Sequence, residues 1–71
     1  MARTKSLSKH LRLAREARGL TVAEVAERAG VTPMAVYNWE AGRSRPRASN
    51  LAALCKAVRL PLAEAEAMTT A

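Results

Sequence analysis

Apolar residues recur at spacings of three and four along most of the chain, and a glycine or proline interrupts each run. Leu7, Leu11 and Ala14 form the first stripe, with Arg12, Arg15, Glu16 and Arg18 mostly outside it. The pattern predicts a helix that Ser6 or Ser8 caps and Gly19 ends, with Leu20 folding back onto the core. Val22, Val25, Ala26 and Ala29 repeat the spacing around Glu24, Glu27 and Arg28, so a second helix is expected here. Gly30 stops it, because glycine enters the left-handed region at no steric cost. A third helix follows, with Ala35, Val36 and Trp39 inward and Met34, Tyr37 and Asn38 outward. Gly42 and Pro46 punctuate the next loop. Residues 48–59 then carry an apolar stripe of Leu51, Leu54, Cys55 and Val58, with Ser49 or Asn50 near its start as a cap. Pro61 ends that run, and Leu62 to about Ala67 predicts a short fifth helix whose inner face is Leu62, Ala65 and Met68.

The stretch Thr21–Trp39 organises the rest. Thr21 is a good N-cap with Glu24 three residues later, the spacing at which two side chains can satisfy two helix-end amides reciprocally. Thr32 is a second N-cap, and Pro33 occupies the first helical position, where its missing N–H is harmless. Two compact helices joined by a short glycine turn are the signature of a helix-turn-helix. From these residues alone an ordinary helical hairpin is an equal alternative.

Charge shifts that balance. Twelve basic residues against six acidic ones leave a formal charge of +6 in 71 residues, which points to an anionic partner. The charge is segregated: Arg3, Lys5, Lys9, Arg12, Arg15 and Arg18 lie in the first helix and its lead-in, and Arg43, Arg45 and Arg47 cluster after the third helix. The arginine loop is suited to phosphate contact. Arg3 and Lys5 form either an arm along a phosphate backbone or a tail with no specific role, and residues 69–71 are expected to be disordered. One cysteine, Cys55, permits neither an internal disulfide nor a metal cluster, and His10 has no partner ligand in sight. No carboxylate pair, nucleophile–base pair or phosphate-cradling glycine loop is evident, so neither catalysis nor a cofactor nor a metal site is expected. No apolar run approaches the ~20 residues that span a bilayer. A chain of this length buries only about 60–65% of its unfolded surface, which favours one small helical core. A single domain over residues 1–71 is expected, with a core of about 6–67 and the motif at 21–40, in the cytoplasm on the nucleoid.

From Leu7 to Ala65 the chain resembles the Cro/C1-type helix-turn-helix family of phage repressors and bacterial transcriptional regulators. Leu11 and Arg15 match, as do Gly19–Leu20–Thr21, Val25–Ala26 and Gly30–Val31–Thr32; then come Val36, Glu40, Gly42, Pro46, Leu51, Leu54, Val58, Leu60 and Leu62, with no insertion. The resemblance implies an all-α, compact four- to five-helix lambda-repressor-like DNA-binding domain. It implies that the helix of about Pro33 to Glu40 enters the major groove of double-stranded DNA. Pro33, Met34, Tyr37 and Asn38 then match the positions that meet base edges; Asn38 is suited to adenine N6 and N7, and Met34 to apolar contact such as a thymine methyl. Thr32, Arg43, Arg45, Arg47 and Arg18 are the backbone-contact candidates. Arg15 and Glu40 match a family pair that joins the first helix to the end of the recognition helix.

The resemblance further implies a repressor or Cro-like switch working as a homodimer on a palindromic site, with no small-molecule effector domain. An architectural or excision-type factor, or a protein-interaction or antitoxin module, would use the same scaffold. Several positions depart from the family pattern. Val22 stands where many members carry a phosphate-contacting glutamine, and Pro33 and Met34 stand where glutamine, serine or arginine is frequent. Arg47 replaces a common capping serine, Arg59 a frequent glycine and Pro61 another common serine.

Overall fold

In the computed structural model the backbone is described for residues 3–70 and side chains for residues 7–68. Five α-helices follow one another: α1 (Arg3–Ala17), α2 (Val22–Ala29), α3 (Pro33–Glu40), α4 (Ala48–Val58) and α5 (Leu62–Thr70). No strand occurs among the described residues. The order and approximate bounds are those the apolar spacing predicts. The basic arm suggested for Arg3 and Lys5 involves side chains outside the described residues. Residues 69 and 70, expected to be disordered, instead continue α5 to Thr70, three residues past the expected end near Ala67, and residue 71 lies outside the described residues.

One core joins all five helices. Leu7 and Leu11 of α1, Val25 and Ala26 of α2, Val36 and Trp39 of α3, Leu51, Leu54, Cys55 and Val58 of α4, and Ala65 of α5 are buried against one another. α2 packs on both α3 and α4, while α1 spans α3, α4 and α5. Leu54 is 1% exposed at the centre. Truncating such a leucine to alanine costs roughly 2–5 kcal/mol, a large share of the stability of a small domain.

The helices end where local chemistry stops them. Gly19, Gly30 and Gly42 all take positive φ. After α2, the Val31 amide reaches back to the Ala26 carbonyl at 2.9 Å, closing a left-handed C-terminal cap. After α4 the same role falls to Arg59, at φ 58°, the one non-glycine residue in that region among the described residues. The Leu60 amide donates to the Cys55 carbonyl at 2.9 Å behind it.

Several boundary expectations are corrected. α1 begins at Arg3, so Ser6 and Ser8 lie inside it and not at its cap. The N-cap of α4 is Arg47, with no side-chain cap hydrogen bond; Ser49 and Asn50 already lie within the helix. α5 turns Ala65 into the core with Met68 packed beside it, but Leu62 is 38% exposed. A first-turn residue overhangs the edge of so small a core. Arg15, expected outside the α1 stripe, is half-buried for a reason given below.

Candidate nucleic-acid interface

Two caps build the helix-turn-helix. The Thr21 hydroxyl accepts from the Glu24 amide at 3.1 Å, and the Glu24 carboxylate accepts from the Thr21 amide at 2.8 Å. This closed pair of bonds holds the Glu24 carboxyl below the usual carboxylate range, chiefly through the Thr21 amide. The Thr32 hydroxyl accepts from the Ala35 amide at 3.2 Å and starts α3, with Pro33 at the first position. Val36 and Trp39 anchor α3 to the core.

The opposite face of α3 is left to solvent. Met34 is 65% exposed and Tyr37 52%. Pro33 is exposed too, whereas Asn38, expected to look outward, is half-buried. Thr32 is exposed at the cap. Val22, at the first position of α2, joins Pro33, Met34 and Tyr37 to line an open cleft of purely apolar surface. Sequence spacing did not group Val22 with the other three, since only the turn geometry brings the two helix starts together.

Arg15 and Glu40 meet across 25 positions of sequence. Arg15 Nε donates to Glu40 Oε2 at 2.8 Å, and a second guanidinium nitrogen donates to Oε1 at 3.0 Å. The remaining nitrogen donates to the Leu20 carbonyl at 2.9 Å. The fork thus ties α1, the turn before α2 and the last residue of α3 at one point. The hydrogen bonds to Glu40 raise the Arg15 pKa, against the opposing effect of burial. The Leu20 contact was not foreseen; backbone acceptors leave no mark in side-chain pattern.

The arginine loop leaves α3 through a tight cap, in which the Arg43 amide donates to the Asn38 carbonyl at 2.9 Å. The Arg43 guanidinium lies over the Tyr37 ring, 5.8 Å from its centroid. Arg43, Arg45 and Arg47 are all exposed or at the loop surface, with Pro46 half-buried between the last two. Ser8, Lys9 and Arg12 of α1 border a shallow cleft with Glu40, Ala41 and Gly42, immediately before Arg43. Lys9 and Arg12 of the first basic cluster thus lie near the start of the arginine loop. Arg18 is exposed in the turn after α1, and no hydrogen bond or ion pair among the described residues ties its side chain to α3. A further group of cations, Arg28, Lys56 and Arg59, gathers where α2 and α4 end. The partial negative charge of those helix ends favours cations there.

Cys55 is buried, and burial pushes its thiol pKa up, with Glu66 adding to the effect; it fills the core as a small apolar residue. Among the described residues no group of three or more His, Cys, Asp or Glu side chains is placed to hold a metal, and no helix is long and apolar enough to cross a membrane.

A family model described as "helix-turn-helix domain" matches residues 6–68. Two crystal structures of the clp gene regulator ClgR from Corynebacterium glutamicum superpose on the chain. One has a TM-score of 0.83 at 27% identity, covering 99% of this chain and 74% of that one. The other has a TM-score of 0.80 at 27% identity, covering 99% of this chain and 91% of that one. A comparison with curated proteins finds no match.

Proposed function

Because the chain belongs to the helix-turn-helix domain family, of the Cro/C1 type of DNA-binding transcriptional regulators, we propose that it regulates transcription as a repressor or Cro-like switch, by laying α3 in the major groove of an operator. The observation that carries this reading is the juxtaposition on α3. An exposed, firmly anchored face of Pro33, Met34 and Tyr37 lies beside an arginine loop, with Arg43 against Tyr37. Such a face suits base edges, and the adjoining cations suit phosphates. The similar structures are of a regulator of clp genes, which agrees with a role in transcription.

In this reading Pro33, Met34, Tyr37 and Asn38 meet the bases, with Asn38 pairing adenine. Thr32, Arg43, Arg45, Arg47 and Arg18 hold the backbone. Lys9 and Arg12, which border the loop, extend the same basic rim. Arg15 and Glu40 touch no DNA; they set the angle at which α3 is presented. The caps already use the amides of Thr21, Glu24 and Ala35, so a phosphate would meet the remaining amides of the α2 start, at Val22 and Ala23.

One such domain covers a small interface, about 600–1,000 Å², too little for high specificity in a genome. Two copies on a palindrome supply the rest. The longest dimension of the chain is 30 Å. Neighbouring copies thus fit half-sites about 34–36 Å apart, one helical turn of DNA.

Selection of bound duplexes from a random pool at about 150 mM salt tests the reading. A palindromic motif with fixed spacing is the expected outcome. An isolated half-site would refute the homodimer but keep base readout. Binding without any motif would replace the regulator with an architectural factor, and no binding at low salt would leave a protein-interaction module.

A further inference from the structure

The apolar cleft between the starts of α2 and α3 is unusual for a surface meant to meet DNA. Val22, Pro33, Met34 and Tyr37 line it; Val22 is half-buried and packs against the edge of the core, while the other three are exposed. Met34 and Tyr37 are among the few large apolar side chains the described residues leave in water. With Pro33 and Val22 they form one contiguous apolar patch across two helix starts, unlike the isolated Leu13 and Leu62.

The cleft is also continuous with the cationic surface. Arg43, over the Tyr37 ring, marks one border, and the capped start of α2 at Thr21 marks another. A polyanion that engaged those cations would bring its own groups down onto the cleft. Within the major groove, the base-edge group that is apolar is the methyl at pyrimidine C5. Hydrogen-bonding edges would be stranded against Val22, Pro33 and Met34, none of which can pair with them through a side chain.

We infer that the Val22–Pro33–Met34–Tyr37 cleft is a receptor for the 5-methyl group of a pyrimidine, supplied by thymine or by 5-methylcytosine. The inference rests on the proposal that α3 enters the major groove. It assigns a specificity role to Val22, which lies outside the recognition helix, and makes methyl contact the principal readout of the α3 start.

The test uses the intact 71-residue chain and a duplex enriched by selection. Each thymine in turn is replaced by deoxyuridine, which removes the methyl and leaves the hydrogen-bonding pattern intact. Each cytosine in turn is replaced by 5-methylcytosine. Affinities are compared for the wild type, Met34→Ala and Val22→Gln. One buried methyl group corresponds to a roughly three- to five-fold change in Kd. At one position per half-site, the wild type is expected to lose that factor on thymine-to-uracil replacement or gain it on cytosine methylation. The former assigns thymine as the source, the latter 5-methylcytosine. In both variants the sensitivity is expected to vanish, whatever their absolute affinity. Met34 is so exposed that its truncation leaves the core intact, and a circular-dichroism melt checks this. Tight binding of the unmodified duplex with no methyl sensitivity anywhere overturns the inference and leaves DNA recognition standing. So does wild-type sensitivity that persists unchanged in both variants. Failure to bind any duplex overturns the recognition proposal itself.

Discussion

The Arg15 guanidinium grips the Glu40 carboxylate through both of its oxygens, at 2.8 and 3.0 Å, while its third nitrogen holds the Leu20 carbonyl. The two side chains are only 15% and 9% exposed. Desolvating a charge pair offsets much of its attraction, so the contribution to stability is small relative to apolar partners of similar size. Removing one partner is different, because the other is left charged and poorly solvated. Glu40→Ala is expected to cost roughly 2–4 kcal/mol in urea unfolding. The double variant Arg15→Met with Glu40→Leu is expected to recover most of that loss, yet to bind operator DNA at least several-fold more weakly than wild type, because the angle of α3 is no longer imposed. Wild-type affinity in a stably folded double variant would show that the pair does not orient α3.

Arg47 sits at the N-cap of α4 without a side-chain cap bond. Arg47→Ser is expected to add about 1 kcal/mol of stability by supplying one. If Arg47 also contacts phosphate, the same change lowers the slope of log K against log salt by about one unit. Arg43→Ala and Arg45→Ala are each expected to lower it similarly. An Arg47→Ser variant that is more stable with an unaltered salt slope would remove Arg47 from the phosphate contacts.

Arg59 holds a left-handed backbone at φ 58° to end α4. A non-glycine residue there costs roughly 1–2 kcal/mol, partly offset because glycine is freer when unfolded. Arg59→Gly is therefore expected to stabilise by about 0.5–1 kcal/mol and raise Tm by several degrees. Differential scanning calorimetry reads this directly; a lowered Tm would mean that the arginine side chain contributes more than its backbone costs.

The Glu24 carboxyl is held below its ordinary pKa by the Thr21 amide. Below the ordinary value the unfolded chain binds a proton that the folded one resists. The stabilisation is thus complete above about pH 5.5 and is lost as pH falls through the folded pKa. The stability difference between wild type and Glu24→Gln is expected to be constant near neutrality and to shrink as pH falls below the ordinary carboxylate range. A difference independent of pH would assign the effect to packing and not to charge.

Local chemistry made much of this protein legible before folding. Apolar spacing, the Thr21–Glu24 box, Thr32–Pro33 and Gly30 each act within one or two helical turns, so residue order alone specifies α2, its turn and α3. The departures at Arg47 and Arg59 were likewise visible, and each coincides with a cap that lacks its usual chemistry. Resemblance supplied the Arg15–Glu40 pair, which spacing could not, since the partners lie 25 positions apart. Only the tertiary structure decided what depends on distance across the core. The half-burial of Arg15 and the exposure of Leu62 are of this kind. So is the meeting of Val22 with Pro33, Met34 and Tyr37 in one cleft. Hydrophobic periodicity says which face of a helix turns inward. It carries no information about which outward residues of different helices become neighbours, because that is set by how the helices cross.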